Sequence, residues 1–167
     1  AMILHDWNRL DEAAAHFETA IELHDRSSEP YSRMLSRAQY AVTLQMQGKV
    51  LEAQRRLAEA QQLAADHHLP RLSCVQLIAA QVDVWLMQNN RAALTTWLAD
   101  CGLSIDDALS TVQEPEHYAF ARALLGLGQP DRALPLIDRL RAAAASAGWH
   151  GTELEARVLR CVALQQL

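Results

Sequence analysis

A chain of 167 residues, half of them hydrophobic, carries enough apolar surface to build its own core, so neither a disulfide nor a metal staple is required. Its 15 Lys and Arg against 20 Asp and Glu leave a net charge of −5, with Arg55-Arg56 the only adjacent basic pair, which argues against a nucleic-acid surface. No run approaches the roughly 18–20 uninterrupted apolar residues of a membrane span, no basic-then-apolar leader opens the chain, and Cys74, Cys101 and Cys161 form no C-x-x-C pair, so a cytoplasmic, reducing setting is expected.

Apolar periodicity predicts helices along the whole chain. Ala1 to Trp7 reads as the tail of a helix clipped at its start, as in a piece of a larger protein, and a second helix covers about 10–26. Helix pairs follow at about 31–47 with 50–66, and at about 71–88 with 91–101. Leu103 to Glu114 breaks the rhythm as an acidic connection bearing Ser and Thr, which either lies over a groove or is a plain surface connector. A fourth pair spans about 116–127 and 130–147, and a lone helix at about 152–167 ends the chain. Pro30, Pro70 and Pro115 stand at helix entrances, where a missing N–H is harmless, and Gly102 and Gly148 act as stops.

The turns between paired helices repeat. Asn8, Gly48, Asn89 and Gly128 are spaced by 40, 41 and 39 residues, and all are residue types that adopt a left-handed backbone past a helix end. Five residues after each stand Ala13, Ala53, Leu94 and Ala133, followed at helical spacing by Phe17, Leu57, Leu98 and Ile137, and then by Ala20, Ala60, Cys101 and Leu140. Before the turns, Ala41, Val82 and Ala121 form a small column and Leu44, Trp85 and Leu124 a large one. A period near 40 built from helix pairs predicts an all-α right-handed superhelix of tandem antiparallel pairs. The array is a single one: a partial repeat 1–29, repeats 30–69, 70–114 and 115–150, and a terminal helix 151–167.

The small-large pattern, with Gly before and Ala after the inter-helix turn at Gly48 and Gly128, resembles the tetratricopeptide repeat, drawn out by longer helices. More specifically, the stretch from Glu116 to Leu134, with Leu127-Gly128-Gln129-Pro130-Asp131-Arg132-Ala133 within it, is similar to the large ATP-binding, MalT-like regulators of the LuxR family. Ala99-Asp100-Cys101-Gly102-Leu103 before it and Ala143-Ala144-Ala145-Ser146-Ala147-Gly148 after it share the likeness, which covers about 31–167. The resemblance implies a nucleotide switch first, helical repeats as a sensor for an inducer or partner protein, and a promoter-reading module last, with this chain as the sensor. It contains no G-x-x-x-x-G-K-[ST] loop, so it is expected to hold no cofactor, ATP belonging to an N-terminal region outside it. The alternative is a free-standing adaptor that holds other proteins.

No catalytic constellation stands out. His67-His68 point about 100 degrees apart on a helix and make a poor metal pair, and Ser73, Cys74 and Ser104 have no positioned base. Trp7, Trp85, Trp97 and Trp149 read as packing anchors. In stacked pairs the first helices line the concave face, which makes Asp83 and Arg122 the leading candidates for contact with a ligand or partner, with Gln45, Gln76 and Tyr118 behind them. The competing reading pairs Asp83 and Arg122 with each other or with a neighbouring helix. Expected partners are a small-molecule inducer or a regulatory protein, with self-association through the apolar ends and no nucleic acid or membrane contact. Capture of a peptide tail, which chaperone-binding tetratricopeptide domains achieve with a cluster of Lys, Asn and Arg along the groove, is disfavoured, because the sole Lys is Lys49, in a turn.

Overall fold

The computed structural model describes residues 1–167 as nine α-helices and one 3₁₀ turn, with no strand. They gather into two compact units, Ala1–Met87 and Gln88–Leu167, so the division falls inside the stretch read as repeat 70–114. No helix is long and apolar enough to cross a membrane.

The first unit holds α1 (Met2–Asp6), α2 (Leu10–Asp25), α3 (Pro30–Met46), α4 (Val50–Asp66), a 3₁₀ turn (Arg71–Ser73) and α5 (Val75–Met87). Pro30 opens α3, and the Glu29 carboxylate caps it by accepting from the Tyr31 N–H at 2.9 Å and the Ser32 N–H at 2.6 Å. Packed against α2, α4 and α5, α3 is the hub of this unit, and Met34, Ala38, Ala41 and Leu44 on it are fully buried. Ala13 of α2 and Ala53 of α4 are likewise buried without remainder, as the small-residue column requires for close helix approach. Phe17 stacks on Tyr40 at 5.8 Å between ring centres, and the Tyr40 hydroxyl donates to Glu18 at 2.7 Å. One polar hub ties three helices together: Arg37 of α3 donates to both oxygens of Asp25 at 2.7 and 2.8 Å and lies 3.5 Å from Glu59 of α4. The guanidinium beside Asp25 holds that carboxyl below its ordinary range.

The second unit holds α6 (Arg91–Asp100), α7 (Glu114–Gly126), α8 (Pro130–Ala147) and α9 (His150–Gln166). Its core joins Phe120, Leu124 and Ala121 of α7 to Ala133, Leu136, Ile137 and Leu140 of α8 and to Ala156 and Ala163 of α9. The helix read as a lone terminal element therefore has partners: α9 packs on α8 and α7. Arg91 donates to the carbonyls of Gly126 and Leu127 at 2.8 and 2.9 Å, satisfying acceptors that the end of α7 would leave open. Pro135 sits inside α8 on its exposed side, where it removes the bond to the Asp131 carbonyl but leaves that group to water.

All four turn anchors have the expected left-handed backbone, with φ of 57° at Asn8, 77° at Gly48, 51° at Asn89 and 71° at Gly128. A further one was not foreseen: His68, read from the sequence only as half of a poor metal pair, ends α4 at φ 48°. The tryptophans divide. Trp97 meets Phe120 edge-on at 6.3 Å and Trp85 is half-buried, whereas Trp7 and Trp149 are 67% and 41% exposed and do not anchor the core.

Candidate functional site

Each unit places its candidate residues by helical spacing. On α5, Gln76 and Asp83 lie seven residues apart and so share a face, and both are half-buried. Gln45, in the last turn of α3, is half-buried as well. On α7, Tyr118 and Arg122 stand four residues apart on the side that faces α9. The Tyr118 hydroxyl donates to the Thr152 carbonyl at 2.9 Å, and Arg122 donates to Glu155 at 2.5 Å. Tyr118 is only 3% exposed, and burial raises its phenol far above the ordinary range. Both side chains thus hold α9 against α7 and are not displayed on an open groove; for Arg122, pairing with a neighbouring helix is what the sequence left as the competing reading.

The connector between α6 and α7 is tied down. Leu103, Ile105 and Leu109 pack against the core of the second unit, and Arg139 of α8 donates to the carbonyls of Ile105 and Asp107. A cavity of about 140 Å³ lies between the end of this connector, the start of α7 and the C-terminal half of α8, and its walls are mostly apolar. Leu109, Leu140, Ala143, Ala144 and Trp149 supply the carbon surface, while Glu114 and His117 project from the first turn of α7.

His117 is 1% exposed. Its Nδ1 donates to the Gln113 carbonyl at 3.0 Å, and its Nε2 is buried with no hydrogen-bond partner. Burial, and then the charge of Glu155, push the Glu114 carboxyl up. Sequence reasoning singled out neither residue as part of a site. The available signals were the long connector and the run Ala142-Ala143-Ala144-Ala145-Ser146-Ala147, whose short side chains leave space beside a helix. No group of three or more His, Cys, Asp or Glu side chains converges where a metal ion would be held.

Antiparallel helix pairs turned through left-handed Gly and Asn residues, with small side chains where the helices cross, define a helical-repeat protein of the tetratricopeptide class. More particularly, the chain belongs to the MalT-like TPR region family, which matches residues 1–167. No curated protein and no solved structure matches it.

Proposed function

We propose that this chain is the signal-sensing and partner-binding region of a MalT-like, ATP-dependent transcriptional activator of the LuxR family, acting in the cytoplasm and performing no chemistry itself. The observation that carries this reading is the family match along the entire chain, over helices that carry the repeat's turn and packing columns. In such a regulator ATP and the promoter are bound by other regions, and this one takes a small-molecule inducer or a regulatory protein. Gln45, Gln76 and Asp83, half-buried on α3 and α5, offer amide and carboxylate groups that orient what binds. Tyr118 and Arg122 bear on binding through α9. Binding is transmitted only to the extent that it differs between the resting and assembled states of the whole regulator.

Two measurements test this. The chain, titrated with ATP and with duplex promoter DNA, binds neither; measurable affinity for either overturns the assignment. When it replaces the helical-repeat region of a MalT-like activator, the chimera loses its response to the original inducer while still binding ATP and promoter. A chimera that keeps its original response shows that sensing resides elsewhere.

A further inference from the structure

The cavity at the start of α7 has the size and wall chemistry of a ligand site. Its volume of about 140 Å³ is close to that of engineered apolar cavities of about 150 Å³ that take up benzene, so it suits one aromatic ring. The connector closes one side with Leu109, α8 closes another with Leu140 and Ala143, and Trp149 offers an indole at the rim. Such walls alone would welcome any small hydrocarbon.

His117 adds selectivity. Because Nδ1 donates to the Gln113 carbonyl, the neutral ring presents Nε2 as a bare acceptor, buried and unsatisfied. A buried acceptor without a partner is costly, and a ligand that brings a donor relieves that cost. The Glu114 carboxyl is a second acceptor on the same helical turn, and Ser110 and Thr111 hydroxyls complete the polar lining. This lining therefore favours a donor on the ligand. Burial and Glu155 already disfavour negative charge on Glu114, so a second anion is unwelcome there.

We propose that this cavity binds a neutral, single-ring aromatic alcohol, with the ring against Leu109, Leu140 and Ala143 and the hydroxyl donating to Nε2 of His117. This deepens the sensing reading by naming a ligand class for it, and the two fail separately. Loss of inducer response in the chimera tests sensing whatever the cavity holds, while direct binding to the chain tests the cavity alone.

The probes are phenol and toluene, titrated into the isotopically labelled chain and followed by amide NMR. Toluene is the more hydrophobic, so a purely apolar hole prefers it; a site with a waiting acceptor reverses the order. Phenol is expected to saturate below about 10 mM, with shifts confined to the connector end, the first turn of α7 and the end of α8, and to bind about tenfold tighter than toluene. Ala143→Leu, at an exposed helical position that readily accepts Leu, fills the cavity and abolishes both. His117→Phe keeps a ring in place and makes toluene the tighter ligand. If that variant does not fold, the order of the two probes on the parent chain and their loss in Ala143→Leu decide the matter. No saturation, equal or tighter binding of toluene to the parent chain, or undiminished phenol binding by Ala143→Leu overturns the proposal.

Discussion

Replacing Gly128 by Ala and Gly151 by Ala adds the same methyl group at two places, and the structure assigns the two changes opposite signs. A Cβ built on either glycine meets nothing within 4 Å, so sterics with neighbours decide neither case. Gly128 has φ +71° and is pinned there by two bonds, its own N–H to the Leu125 carbonyl and the Gln129 N–H to the Leu124 carbonyl, each 2.9 Å. Ala held in that left-handed region costs about 1–2 kcal/mol. The stiffer unfolded chain returns about 0.4–1 kcal/mol, so a net loss of about 1 kcal/mol remains. Gly151 lies in the first turn of α9, where Ala is the better helix former and gains about 0.5 kcal/mol, somewhat under its full interior advantage. Thermal unfolding followed by far-ultraviolet circular dichroism reads the difference, at about 2–4 °C per kcal/mol for a chain of this size. Gly128→Ala lowers the midpoint, Gly151→Ala raises it, and Gly128→Asn falls between Ala and Gly because Asn8 and Asn89 already hold the same backbone at 57° and 51°. If Gly128→Ala stabilises as much as Gly151→Ala, the left-handed turn is not what shapes the repeat, and the reasoning fails.

Arg37→Met removes the bonds to Asp25 and Glu59 and is expected to cost about 1–2 kcal/mol in urea unfolding, since both carboxylates retain enough exposure to be rehydrated. Because Asp25 is held below its ordinary pKa, its share of stability is full above the unfolded value and is lost as the pH falls through the lowered one; Arg37→Met shows less of this acid loss in a pH series. Tyr118→Phe deletes the bond to the Thr152 carbonyl, costs about 0.5–1.5 kcal/mol, and speeds amide exchange in α9 more than in α7; unchanged exchange refutes the role given to Tyr118. Arg139→Met frees the carbonyls of Ile105 and Asp107, so limited proteolysis should cut the connector faster while leaving α7 and α8 intact.

Legibility in the sequence followed the strength of local rules. A left-handed residue after a helix leaves a narrow choice of side chains, so Asn8, Gly48, Asn89 and Gly128 were readable, and the buried alanines five residues later in three repeats came with them. His68 occupies the same backbone with a residue type that gives weaker notice of it. The packing columns were readable for Leu44 and Leu124 but less so for Trp85, which is half-buried because a bulky ring is rarely enclosed on all sides. Trp7 and Trp149 show the limit of composition: an indole favours burial, but only a neighbouring helix can supply it.

The candidate site was less legible for a related reason. Periodicity tells which positions flank a core column, and Tyr118 and Arg122 do flank one, but it does not tell which helix lies across from them. Once α9 is seen to return against α7, the same positions become its fastening, with a hydroxyl on the Thr152 carbonyl and a guanidinium on Glu155. Something similar holds for the cavity. Regular helix pairs fill their own grooves with interlocking side chains and leave little room for a ring. Room opens in the second unit where two irregularities coincide: α6 gives way to a long connector, and α8 ends in a run of alanines that cannot reach across to it. Each is unremarkable alone, one a loop and the other a good helix-forming segment. Only their apposition leaves a space with His117 in its wall, which is why the cavity lies where the repeat is least regular.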